Sequence, residues 1–362
     1  MKNKSLMEIL YKYQTTINVL IAIAAAFIIG TIVIIFLGYS PAVAYTEMLK
    51  GAFSGKFNFG GTLERFVPLL LSGLAFIIAA KVSFFNIGVE GQLYFGGITA
   101  AFLGVYITGL PAVLHIPIVL MGAAIAGGAW ALIPGYLNAK FNVNEVCLTI
   151  MLNYVAIQFT SYIVNHPFKN PNVGIPQTPN LQDSALLPKI MFPSRANIGI
   201  FIAIAVLIFF IWLISKTTVG YKINSVGSNP FFSQYIGMES KIVVIFTVIM
   251  SGMVGGLIGG IQISGIHGYF IDQFSPGYGF DGIMIGFLSR NNLKALPFVA
   301  FFIAVLRSGS IGMERFTGIP KEVIGIIEAL IILFAAAKVI IDIKKSSVTA
   351  QNSSDEEVME VG

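Results

Sequence analysis

Long apolar runs separated by short polar breaks fill most of the chain, and one polar stretch, Ser215–Lys241, stands out among them. Their lengths predict membrane-crossing helices over about 17–38, 66–80, 85–108, 113–137, 144–164, 198–215, 241–265, 279–289, 296–310 and 319–341. Two of these are short. The second begins only at residue 66, and Lys81–Gly88 interrupts the chain before the third; the eighth follows the glycine-rich stretch Gly265–Gly279. Irregular backbone at membrane depth persists only where protein or a water-filled path satisfies its amides, so these two places point to a pathway. The expected fold is an all-α polytopic membrane protein of about ten spans. Five spans precede the proline-rich loop Asn165–Asn197 and five follow it, which inserts the second half in the opposite sense to the first. Lys81, Lys140, Lys216, Lys222, Arg290 and Lys294 in short loops place both termini in the cytoplasm.

Composition agrees with that pattern. Of 362 residues, 56% are hydrophobic and only 11% charged, which excludes an ordinary soluble domain. The net charge of +5 then reflects cytoplasmic lysines near anionic lipid rather than nucleic acid. Residues 1–16 read as a cytoplasmic N-terminus, 17–341 as the membrane domain with a loop at 216–241, and 342–362 as a polar, acidic, disordered tail. No cleavable signal is expected, because the run after Thr16 is longer than a signal core. Cys147 has apolar neighbours and reads as a core residue, and the three histidines are scattered, so no metal site is expected.

Ionisable groups at membrane depth carry the candidate chemistry. Glu90, Glu145, Asp281, Arg307 and Glu328 would be costly facing lipid and should face the bundle interior or water. A structural ion pair is the plainer expectation for Arg307 and Glu328, which fall in the last two spans. Glu145, Thr149 and Asn153 step by four and share one helix face, either a lining or a hydrogen-bonded seam between helices. Gly88-Val89-Glu90-Gly91 opens the third span and Gly279-Phe280-Asp281-Gly282 the eighth, each a carboxylate between glycines. If the halves are inverted copies, Glu90 and Asp281 should approach each other near the midplane, flanked by Asn86, Asn153 and Phe280. The small residues of span seven, among them Gly252, Gly256 and Gly260, predict a close-packed helix, with a contact between two copies as one place for it.

The polar stretch contains its own helix signal. Asn229 is suited to cap the first free amides, Pro230 to the first helical position, and Gly237 to a left-handed stop. Phe231, Phe232 and Tyr235 give the short helix an aromatic side. An amphipathic surface connector and a docking knob for a partner both fit these residues.

The segment Ser228-Asn229-Pro230 to Tyr235-Ile236-Gly237 resembles the coupling segment of ABC importer permeases of the branched-chain amino acid, ribose and nucleoside type. Phe84–Gln92, Asn144-Glu145-Val146, Leu152-Asn153-Tyr154, and Gly279–Gly282 with Leu288 and Asn291 resemble signatures of the nucleoside branch of that family. Phe231-Phe232 stand where relatives usually carry small or acidic residues. The resemblance runs from about residue 60 to 340. It implies a substrate path through Asn86, Glu90, Glu145, Asn153, Tyr154, Phe280 and Asp281, and ATPase coupling through Asn229, Pro230, Phe231, Phe232, Tyr235 and Gly237. It also implies a second permease subunit, identical or homologous, two ATPase subunits and an extracytoplasmic substrate-binding lipoprotein or protein. No cofactor is then expected on this chain, ATP being used by the partner.

Two other classes compete. An ion-coupled carrier would use Glu90, Glu145 or Asp281 for protons, but needs no capped surface helix between spans. A membrane enzyme is disfavoured by the lack of a nucleophile or metal constellation. There is no G-x-x-x-x-G-K-S/T motif, so ATP is not bound by a P-loop here, and Gly277–Gly282 matches G-x-G-x-x-G without a preceding strand, so a dinucleotide site is rejected.

Overall fold

The computed structural model describes residues 26–330, with Ala24 and Leu333. The expected N-terminal segment 1–16, the start of the first span, the end of the last and the tail 342–362 lie outside the described residues. All regular elements described are helices: α1 (Ala26–Phe36), α2 (Pro41–Phe53), α3 (Gly55–Ala80), α4 (Val89–Tyr106), α5 (Ala112–Phe141), α6 (Glu145–Asn165), α7 (Gly199–Lys216), α8 (Thr218–Ser228), α9 (Pro230–Tyr235), α10 (Ser240–Gln262), α11 (Tyr278–Leu288), α12 (Leu296–Thr317) and α13 (322–330). Six are long and apolar enough to cross a membrane, or up to seven if the pair α1 and α2, bent by 116°, counts as one span.

The described residues fall into two compact units, 26–48 with 310–330, and 49–309. In the first, a Cβ on Gly30 of α1 would fall 2.5 Å from Ile327 of α13, so glycine permits that approach. The Tyr45 hydroxyl donates to the Phe27 carbonyl oxygen at 3.0 Å across the bend.

The second unit is built on two long helices, α3 and α10, which touch where the Ser251 hydroxyl donates to the Ala75 carbonyl oxygen at 2.7 Å. Each is followed by an irregular break and then a helix, α4 or α11. The partners cross over: α11 lies parallel to α3, Gly282 against Ser72 and Gly286 against Phe76, while α4 lies along α10, Gly96 against Gly256 and Gly97 against Gly259.

The glycines of α10 pack inside the chain. A Cβ on Gly127 of α5 would stand 2.5 Å from the Gly256 Cα, and one on Gly256 would collide with the Ala123 carbonyl oxygen. These neighbours are backbone and cannot yield. Gly256→Leu should therefore lower the melting temperature in detergent, equivalent to about 1–3 kcal/mol or more of overpacking, whatever its effect on oligomeric state.

Three expectations are corrected here. The second span is not short: α3 has 26 residues, because its polar first half is accommodated by protein. Gly60 packs on Ser194 of the outer loop, and the Arg65 guanidinium folds back to donate to the Gly61 carbonyl oxygen at 2.9 Å. Cys147 is exposed rather than in a core, because α6 turns most of its apolar residues outward and buries only a stripe. Finally, the polar stretch after α7 contains two helices, not one, since α8 precedes α9.

The loop 166–198 is non-helical apart from one turn at Asp183–Ala185. It is stitched to the end of α10, which finishes in a π turn at Ile263–His267, and to the break that follows. Leu187 N donates to the Ser264 carbonyl oxygen, Leu181 N to Gly268 and Thr178 N to Phe270, at 2.8–2.9 Å.

Candidate functional site

Between α3 and α4 the chain leaves helical geometry for Lys81–Gly88, with Ser83 at φ 58°. Two asparagines hold this break in place. The Asn86 Oδ1 accepts the Gly88 N–H at 2.9 Å, and its Nδ2 donates to the Ser251 hydroxyl of α10 at 2.8 Å. From α6, Asn153 clamps the other side: its Oδ1 accepts the Gly91 N–H at 2.8 Å and its Nδ2 donates to the Ile87 carbonyl oxygen at 2.9 Å. Both residues are buried, and both ends of each amide are engaged. A backbone that lacks helical partners thus gains them from side chains, which is what irregular chain at membrane depth requires.

The start of α4 then meets the start of α11. Glu90, only 2% exposed, accepts the Gly279 N–H at 2.6 Å through Oε2. Gly279 lies in the first turn of α11, where free amides and the helix dipole favour a carboxylate. Glycine is needed there, because a Cβ would fall 2.6 Å from the Glu90 Cα. Asp281, two residues on, turns to a different partner: Arg307 of α12 donates from both guanidinium nitrogens, Nη2 reaching Oδ1 at 2.8 Å and Nη1 reaching Oδ2. The two carboxylates therefore open adjoining helix starts, but separate groups satisfy them. Asp281 was not foreseen as the partner of Arg307. Arg307→Leu should strand a mostly buried carboxylate and cost roughly a few kcal/mol in detergent melting, and Asp281→Asn added to it should restore much of the loss.

The remaining candidates sit elsewhere. Thr149 and Asn153 share the buried stripe of α6, as the four-residue spacing predicts. Glu145 begins that helix and accepts from the Asn138 Nδ2 at 3.1 Å, a clasp across the α5–α6 turn two helical turns from Asn153. Tyr154 is 63% exposed. Phe280 is half-exposed at the start of α11. One group went unnoticed in the sequence: the Trp130 Nε1 is buried without an acceptor and faces Gly91, while its ring stacks on Phe95 at 3.9 Å. Nothing in its spacing on α5 gave that away.

The short helix α9 has the anticipated ends. Asn229 Oδ1 accepts the Phe232 N–H at 2.9 Å, Pro230 is the first residue, and Gly237 lies at φ 82°. Phe231, Phe232 and Tyr235 are all exposed, Tyr235 by 96%. Preceding it, α8 buries Gly220, Ile223 and Val226. Its end rests on the break before α4, where the Ser83 hydroxyl donates to the Gly227 carbonyl oxygen at 3.1 Å and any Cβ on Gly227 would strike the Lys81 carbonyl oxygen. The aromatic knob and the junction are thus joined by a short path of packed backbone.

Residues 58–336 match the family model described as branched-chain amino acid transport system / permease component. The chain belongs to this family. The guanosine ABC transporter permease protein NupP of Bacillus subtilis is 36% identical to the permease over 88% of this chain and 92% of its own length. The glucose ABC transporter permease protein TsgB13 of Haloferax volcanii is 33% identical over 87% and 85%. The nucleoside ABC transporter permease protein NupB of Lactococcus lactis is 32% identical over 93% and 94%. No solved structure matches the permease. It is a multi-pass membrane permease subunit of an ABC importer, and its task is transport rather than catalysis.

Proposed function

We propose that this permease carries a nucleoside, or a similarly small polar and ring-bearing solute, along a path past the junction of α4 and α11. The observation that carries this reading is the Glu90–Gly279 contact, where two helices that start inside the bundle meet end to end. Glu90, Asp281 and Phe280 are the groups on this path, Asn86 and Asn153 the struts that hold its wall, Glu145 sits toward its margin, and Tyr154 lies off it. A neutral solute with a ring needs a few fixed hydrogen-bonding groups and an apolar wall, rather than a full counter-charge. The unpartnered Trp130 indole beside Gly91 supports a polar visitor.

The crossed packing of α3 with α11 and α10 with α4 supports two oppositely inserted halves, which in this reading hold five spans each. In this reading both termini, α8 and α9 face the cytoplasm of a bacterial cell. An ATPase subunit docks on Asn229–Gly237, ATP is hydrolysed there and not on this chain, a second permease completes the membrane part, and an extracytoplasmic substrate-binding lipoprotein or protein delivers the solute. Nucleic acid has no part in it.

The glucose permease among the relatives favours a simple sugar as the second reading. Uptake by the reconstituted complex decides between them. Labelled guanosine or uridine should accumulate, with unlabelled nucleosides competing. Saturable hexose uptake that no nucleoside inhibits would overturn the first reading in favour of the second.

A further inference from the structure

We propose that the end of the bundle carrying α8 holds a binding site for the headgroup of an anionic phospholipid. A cavity of about 360 Å³ lies there between the end of α3, the last turns of α7 and the turn 290–294 that joins α11 to α12. Lys81, Arg290 and Lys294 line it, so three cations from two distant stretches of chain converge on one concavity. The rest of its wall is mixed: Ile211 and Ile214 of α7 and Leu293 are aliphatic, and Ser215, Asn291 and Asn292 are polar.

That combination selects the ligand. Three cations alone would suit any phosphate or acidic side chain, but a free anion gains nothing from isoleucine and leucine. A phospholipid offers both chemistries at once, with a phosphate for the cations and an acyl chain for the apolar wall. Elsewhere on α7, Ile208, Phe209 and Trp212 are exposed. An exposed tryptophan one turn from the end of an apolar helix marks headgroup level. The turn itself is built unusually. Arg290 and Asn291 are consecutive left-handed residues, at φ 53° and 54°. Phosphatidylglycerol carries a net negative charge to set against these cations, whereas the quaternary ammonium of a choline headgroup cancels that of its phosphate.

The site also touches the machinery of transport. Lys81 is the first residue of the break that leads to Asn86 and Glu90, and its carbonyl oxygen abuts Gly227 of α8. A lipid held there would steady the joint between the surface helices and the junction.

The test is lipid retention by the purified full-length permease, without ATPase or solute, so that it stands apart from the transport reading. The protein is placed in nanodiscs of phosphatidylcholine with phosphatidylglycerol, extracted into detergent and weighed by native mass spectrometry. Phosphatidylglycerol should be retained in preference to phosphatidylcholine. Neutralising Lys81, Arg290 and Lys294 to Gln should weaken retention about fivefold for each residue. Lys294→Arg should retain lipid as the parent does. An unchanged melting temperature shows that the variants fold; should the triple variant not fold, the single variants carry the comparison. Equal retention of both lipids, or retention unaffected by neutralisation, would overturn the proposal. Displacement of the lipid by inorganic phosphate at modest concentration would reassign the cavity to a free anion.

Discussion

Glu90→Gln is expected to fold normally and to import poorly. The substitution keeps an oxygen where Oε2 now accepts the Gly279 N–H, so the join between α4 and α11 survives. What disappears is the charge and the strength of a charge-assisted contact at the centre of the junction. If the solute passes there, losing one such contact should slow uptake by about 10- to 100-fold, the equivalent of roughly 1.5–3 kcal/mol. Glu90→Ala separates the structural part of the role from the transport part. It leaves a buried amide of α11 without an acceptor, and should lower stability by about 1–3 kcal/mol as well as uptake. Uptake per folded molecule and melting temperature, measured on both variants, decide the matter. A glutamine variant that melts early yet transports normally would make Glu90 a strut, like the two asparagines.

The second large effect is expected at the surface. Phe232→Asp and Tyr235→Ala should insert and melt as the parent does, because both side chains are exposed. Each should nevertheless weaken capture of the ATPase subunit by roughly thirtyfold or more, the range of a central aromatic anchor at an interface. Transport should fall in step. The physical basis is an aromatic face on a capped six-residue helix, a costly surface to leave in water without a partner. Because α8 ties this helix to the break before α4, a push at Tyr235 has a short route to Glu90 through Gly227 and Ser83. Undiminished ATPase binding by both variants, measured by pull-down, would remove the docking role.

What could be read from the sequence was local. Asn229, Pro230 and Gly237 act within one or two turns of where they stand, so α9 was legible from its caps alone. The α6 stripe was legible for the same reason, its spacing being set by the helix period. Partners distant in sequence were not. Asn86 and Asn153 stood out as polar groups at depth, but only the fold brings Asn86 to Ser251 and Asn153 to Gly91 and Ile87. Nor did the spacing pair Asp281 with Arg307, 26 residues away. The first half of α3 was missed because Glu64 and Arg65 look like surface to a hydropathy reading, although the outer loop covers that stretch. Cys147 and Tyr154 show the converse. In a membrane, apolar neighbours mark lipid as readily as a core, and Tyr154, in a segment that resembles a signature of the nucleoside branch, is exposed.

The energy source is the most direct test of the account. In proteoliposomes holding the whole complex, with ATP held constant on the ATPase side, accumulation of labelled nucleoside should require ATP and continue when a protonophore collapses the proton gradient. Accumulation that persists without ATP and vanishes with the protonophore would contradict it. Glu90, Asp281 and Glu145 would then be proton carriers, and α9 an ornament of the surface.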